Sequence, residues 1–180
     1  EQTDGKQMSI SSYRYSGDRT VLSYEEMNGY CNRAIKLNPN CKLTLILMQV
    51  NDIEDYMKNE GSGFVQDLLQ SVQDTVRRHV GHRGIVCPLQ PNLMSVVVQD
   101  INSDIKLRAF IESLRSRIAW NYRLIDPKYE ISFSFGVACY PENGMDMRIV
   151  HRKLVKALQM AQEKHANCYI IYKEHLHGEL

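Results

Sequence analysis

Gly84-Ile85-Val86-Cys87-Pro88-Leu89-Gln90-Pro91-Asn92-Leu93-Met94-Ser95-Val96-Val97-Val98 is the stretch that decides the fold. Two short apolar runs, Gly84 to Cys87 and Leu93 to Val98, flank a segment holding two prolines. That pattern predicts a hairpin with its turn over Pro88 to Asn92. Working outward, Leu43 to Val50 is an apolar run of strand length, and Asn38-Pro39-Asn40 before it stops a helix. Downstream, Tyr129 to Cys139 alternates Ile131, Phe133 and Phe135 with Ser132 and Ser134, and Cys168 to Tyr172 predicts a last strand. Helical spacing fills the gaps. It covers Met27, Tyr30, Cys31, Ala34 and Leu37, then a short piece from Asp52 to Lys58, then Phe64, Leu68, Leu69, Val72, Val76 and Val80 before Gly81. Further helices are predicted from Ile105 to Tyr122 and from Met147 to Lys164. A hairpin inside an alternating order of strands and helices excludes a purely parallel sheet. The expectation is an α/β (α+β) domain with a central five-stranded sheet, mixed or antiparallel, flanked by helices.

Composition narrows the classes of function. The chain has 180 residues, 43% of them hydrophobic and 24% charged, which is enough apolar material for a core and excludes a disordered chain. Twenty-two Lys and Arg stand against 21 Asp and Glu, a net charge of +1. Neither nucleic acid nor direct membrane contact is expected without a local patch, and no apolar run approaches the roughly 20 residues of a membrane span. Five cysteines without a C-x-x-C spacing predict reduced thiols and a cytoplasmic setting. Glu1 to Gly5 is polar and lacks an initiator Met, so the chain reads as a piece of a longer protein. Residues 1–17 read as a linker or upstream remnant, 18–172 as the domain, and 173–180 as the start of a linker to a downstream domain.

Chemistry-bearing motifs are scarce: phosphate-binding glycine loops, zinc-protease and nucleophile-elbow patterns are all missing. His79 and His82, with Cys87 downstream, have helix-end spacing, but Arg77, Arg78 and Arg83 around them repel a cation, so a solvated basic helix end is expected instead. The same residues make a candidate anion patch. Asp52, Glu54 and Asp55, just after the first strand, are the one dense carboxylate group at a strand end and the candidate metal ligands. Acidic residues also suit a helix N-terminus on their own account. Tyr13, Tyr15, Tyr24, Trp120 and Tyr122 are candidate interface residues, with Trp120 expected as a partly buried anchor. His175 and His177 read as tail.

Ser134-Phe135-Gly136-Val137-Ala138 followed by Tyr140-Pro141-Glu142-Asn143-Gly144-Met145-Asp146 resembles the S-[IF]-G-[VI]-A-x-x-P-x-x-G-x-D signature of GGDEF (diguanylate cyclase, nucleotidyl cyclase-like) domains. Ala157-Leu158-Gln159-Met160-Ala161-Gln162 with His165-Ala166-Asn167 is similar to that family's A-L-Y-x-A-K-x-x-G-x-N segment. Leu45 to Val50, Gly61 and Leu68-Leu69 fit the elements carrying its first acidic motif, so the resemblance covers roughly residues 18 to 172. It implies the chemistry of joining two GTP into cyclic di-GMP across a two-fold dimer, with Mg²⁺ held by carboxylates.

The same resemblance places the family's functional positions on residues that lack that chemistry. The signature loop falls on Gln90, Pro91, Asn92, Leu93 and Met94, where Pro91 has no N–H and a ring in place of a glycine. The metal carboxylates fall on Leu93 and Gln49. The guanine-contacting positions fall on Met57 and Gln66, and the phosphate-binding ones on Gln162 and Ala166. Gly81-His82-Arg83-Gly84 stands where an R-x-x-D product-inhibition motif is expected, leaving Arg83 as the remaining phosphate contact. The implied protein is a catalytically inactive domain of a larger bacterial cyclic di-GMP signalling protein, a regulatory or dimerisation module. Its implied partners are a neighbouring domain, such as a phosphodiesterase domain, or a second copy. The alternative is a sensor of GTP or cyclic di-GMP, and an active cyclase is a third reading. No cofactor is implied; Mg²⁺ enters only with a bound nucleotide.

Overall fold

The computed structural model describes residues 24–123, 130–164 and 167–178. Five strands, β1 (Leu43–Val50), β2 (Gly84–Gln90), β3 (Leu93–Gln99), β4 (Phe133–Tyr140) and β5 (Tyr169–Ile171), form one sheet in the order β2-β3-β1-β4-β5. The helices are α1 (Tyr24–Leu37), α2 (Ile53–Glu60), α3 (Ser62–Val80), α4 (Asp104–Arg123), α5 (Met147–Lys164) and α6 (Glu174–His177), with a turn of 3-10 helix at Gly81–Arg83. Only β4 and β5 pair in parallel; the other neighbours are antiparallel, so the sheet is mixed.

β1 is central, and its side chains are buried on both faces, which is why it reads as an unbroken apolar run. Successive side chains of a strand point to opposite faces. Leu43, Leu45 and Leu47 accordingly join α1 and α5 in one cluster with Met27, Cys31, Leu154 and Leu158. Ile46, Met48 and Val50 join α3 and α4 in the other, with Leu68, Val72, Ile111 and Leu114. Each such side chain stabilises the fold by about 1.5–3 kcal/mol when fully buried. The alternation of Phe133 and Phe135 with Ser134 is therefore one between two covered faces, and Ser134 is wholly buried.

Two expectations about boundaries are corrected. The hairpin turn is Pro91-Asn92 alone, because β2 runs on through Pro88 to Gln90. β2 is an edge strand, where a proline's missing N–H removes no bond the sheet needs, and a register shift between Pro88 and Gln90 absorbs the irregularity. The fourth strand starts at Phe133; Tyr129 lies outside the described residues.

His175 and His177 lie in α6 rather than in a loose tail. Lys153 binds Glu174, Lys156 Nζ donates to the His177 carbonyl at 3.0 Å, and His177 Nδ1 accepts from the Lys173 amide at 2.8 Å. The two lysine bonds hold α6 against α5. β4 and α5 approach so closely at Gly136 that an added Cβ would stand 2.4 Å from the Leu158 nitrogen and 2.7 Å from the Leu154 carbonyl oxygen. Only glycine fits there.

Candidate functional site at the hairpin end of the sheet

Register brings the two expected metal positions together. Gln49 near the end of β1 lies opposite Leu93 on one side and Ser134 on the other. Directly opposed residues share a face, here the one covered by α1 and α5. Leu93 is 1% exposed and packs inside that apolar cluster. Ser134 Oγ accepts from Asn51 Nδ2 at 3.0 Å, and the same amide group reaches Ser132 Oγ at 2.9 Å. Gln49 Oε1 is buried without a hydrogen-bond partner among the described residues, which costs about 1–3 kcal/mol of desolvation. The pair offers one neutral amide and one hydrocarbon side chain. It does not fit a Mg²⁺ ion, whose ligands are hard oxygens and chiefly carboxylates.

The turn itself is tied shut against β1. The Val50 amide donates to the Asn92 carbonyl at 2.9 Å, and Asn92 Nδ2 donates to the Val50 carbonyl at 3.3 Å. Pro91 is exposed and Gln90 half-buried, while Met94 points into the α3–α4 side of the core. Met57 on α2, Gln66 near the start of α3 and Gln162 near the end of α5 are exposed, and their elements begin or end where β1 ends. The resemblance and the topology thus agree on one end of the sheet. Ala166 lies outside the described residues, as do Tyr13 and Tyr15 and the side chains of Tyr24 and Tyr122.

Arg83 is elsewhere, which corrects its reading as a phosphate contact of this cleft. Gly84 pairs with Val98 and Val98 with Thr44, at the opposite end of the sheet. The length of β2, roughly 20 Å at about 3.3 Å per residue, separates Arg83 from the turn. Its guanidinium donates to the His79 carbonyl at 3.1 Å and lies 5.2 Å from the Phe110 ring centroid.

The basic helix end is not simply solvated. His79 is buried, its ring 4.6 Å from Phe110, with Nε2 3.2 Å from the Phe110 carbonyl oxygen. Burial lowers its pKa, with the charges of Arg117 and Arg83 adding to the effect and the Phe110 carbonyl opposing it.

Asp52, Glu54 and Asp55 are exposed at the start of α2, with Asp52 in the left-handed region at φ 63° and no capping bond from its side chain. Among the described residues no group of three His, Cys, Asp or Glu is placed to hold a metal ion. That includes Asp52, Glu54 and Asp55, and also His79, His82 and Cys87. None of the five cysteines forms a disulfide, and burial pushes the Cys31 and Cys87 thiols up to about 12, with Cys41 adding to the effect at Cys31 and Glu26 at Cys87.

Sequence reasoning missed Asn51 and Asn143. Asn143, 2% exposed, accepts from the Cys139 amide at 2.7 Å and donates to the Tyr172 carbonyl at 3.3 Å. Asn143 sits in a turn and Asn51 in the connection between β1 and α2, where that residue type is expected for local reasons, so their long-range bonds leave no local signal. Trp120 departs from its expectation too: it is 65% exposed.

Compared with known proteins, residues 24–168 match the family model described as diguanylate cyclase, GGDEF domain. An active GGEEF domain of a diguanylate cyclase from Vibrio cholerae superposes with a TM-score of 0.71 at 15% identity, covering 83% of this chain and 94% of that one. The GGDEF domain of DgcB from Caulobacter crescentus, solved in complex with c-di-GMP, gives 0.70 at 13% identity over 88% and 98%. An uncharacterized protein of Synechocystis, sll1895, is 17% identical over 142 residues, 79% of this chain but 20% of that protein. The chain therefore spans about a fifth of that relative's length. Among the described residues no helix is long and apolar enough to cross a membrane.

Proposed function

The chain belongs to the diguanylate cyclase GGDEF domain family of cyclic di-GMP signalling, and from that membership we propose that it works by contact, as a non-catalytic module. In this reading it regulates a neighbouring domain of a larger signalling protein, or joins two copies, and makes no cyclic di-GMP. A phosphodiesterase domain is the neighbour that the resemblance suggests. Five cysteines without a disulfide suit a reducing, cytoplasmic setting.

The observation that carries the reading is the cross-strand pair of Gln49 and Leu93. Metal-assisted phosphoryl transfer neutralises the triphosphate and the developing charge with cations held by acids. Here the positions the resemblance assigns to those acids hold an amide and a side chain packed in the core. Each missing charge-assisted contact removes of the order of 1.5–3 kcal/mol. With Met57, Gln66 and Gln162 also uncharged, too little remains to hold GTP usefully. The frame around them is kept, and a scaffold kept while its ligand set is lost suits an interaction role.

Titration calorimetry of the chain against GTP and cyclic di-GMP, each with Mg²⁺, tests this. Silence up to millimolar ligand is expected. Heat that saturates at micromolar ligand overturns the contact reading in favour of a nucleotide sensor.

A further inference from the structure

Far from the cleft, α3 and α4 enclose an open groove of about 610 Å³ with Arg78 on one wall and Arg117 and Trp120 on the other. Its floor is fixed: Asn121 Nδ2 donates to Thr75 Oγ1 at 2.9 Å, and Thr75 Oγ1 donates to the Ser71 carbonyl at 2.8 Å. Two serines of α4 complete the lining, which holds two positive charges and no carboxylate. Among the described residues neither Arg78 nor Arg117 forms an ion pair. Arg83 and Arg117 both act on His79, so the positive potential continues past the end of α3. In a chain with a net charge of +1 this is a local concentration of one sign.

We propose that this groove docks an acidic segment of a partner protein, with its carboxylates on Arg78 and Arg117 and one apolar side chain against Trp120. The charge of the lining selects the acidic partner. The shape selects a protein segment over a small molecule: small-molecule sites enclose most of their ligand, whereas this groove is open along its length. Trp and Arg together are the side chains that concentrate at binding hot spots, and an amphipathic segment laid in a groove is a recurring mode of recognition. The proposal rests on the contact reading but uses a different surface, so the two fail separately. Nucleotide binding in the cleft would sink the contact reading, whereas the groove is read through its own indole.

Trp120 is the chain's one tryptophan, so its fluorescence reports on the groove alone. The probe is a synthetic peptide of glutamates around a single leucine, with a glutamine-for-glutamate peptide as control. The glutamate peptide should shift the Trp120 emission saturably and more weakly at high salt. Arg78→Gln and Arg117→Gln should each weaken it about tenfold, while Arg148→Gln, on the exposed start of α5, leaves it unchanged. No shift, or an equal shift with the glutamine peptide, overturns the proposal. So does a response to cyclic di-GMP or an oligonucleotide matching the peptide's, or a doubling of mass that gives the shift without peptide.

Discussion

The hairpin end of the sheet and the junction of β4 with α5 both carry stretches of the family pattern, and they have fared differently. At the junction, Gly136 and Asp146 hold the residue types the pattern asks for, Asn143 stands at a position the pattern leaves open, and each has a packing reason. Gly136 lets α5 touch β4, Asn143 bonds strand to strand end, and Asp146 accepts from the Arg148 amide at 2.9 Å to cap α5. At the hairpin end, Gln49, Pro91 and Leu93 depart from the pattern at positions where it serves a ligand rather than the core. Leu93 has instead been absorbed into the core. Residues that hold the fold answer to the fold whatever the domain does, whereas in the contact reading proposed above the ligand positions carry no such constraint.

The largest effect should come from forcing a side chain into the junction. Gly136→Val meets backbone atoms of α5 rather than a flexible side chain and should cost upwards of about 4 kcal/mol, read as loss of the urea transition. Next is the attempt to rebuild the other region. Gln49→Asp with Leu93→Glu should lose roughly 3–4 kcal/mol by burying charge in an apolar cluster and still show no Mg²⁺-dependent GTP turnover. Turnover in that variant would mean that the two regions differ by two residues rather than in kind.

How much of this was legible in the sequence depends on how local the cause is. Element order and the two-sided burial of β1 follow from runs such as Leu43 to Val50, which carry their own period. Gln49 and Leu93 could be placed from the sequence because each lies at the end of a readable strand; that they stand opposite one another comes from the register, which no single segment shows. The length of the turn was not, because a proline at 88 is tolerated only if β2 lies at the edge, and the order of strands is not written in any one segment. Arg83 and Trp120 were misread for the same reason. Where each points depends on how α3 and α4 lie against the sheet and against each other.

Acid probes the junction side with a third measurement. His151 on α5 is buried with Nε2 3.1 Å from Asn28 Oδ1, and burial pushes its pKa down to about 4 from an ordinary 6.5. The unfolded chain therefore holds more protons below pH 6.5, and stability should fall between pH 6.5 and 4, by roughly 3 kcal/mol from this group. Urea midpoints across that range check the slope, and His151→Gln should flatten it, leaving the part due to His79, which burial lowers in the same sense. Asn143→Ala should cost about 2 kcal/mol through the unpaired Cys139 amide and Tyr172 carbonyl, seen in the same titration at neutral pH. Asp146→Ala should give the smallest shift of the series, since the Asp146–Arg148 pair is open to solvent. A loss there as large as that of Asn143→Ala would remove the packing account of why the junction is kept.

The central position of β1 has a consequence for the making of the protein. Leu43 pairs with Gln99 on one side and with Tyr140 on the other, so most of the domain must be synthesised before this strand has both neighbours. At about 5–20 residues per second, β1 waits seconds after its own emergence for β4. A nascent chain in which β2, β3 and β1 pair during that wait would carry β1 open along one edge. That edge is what a ribosome-associated chaperone would meet first, and it is where a slowed or truncated translation product would begin to aggregate.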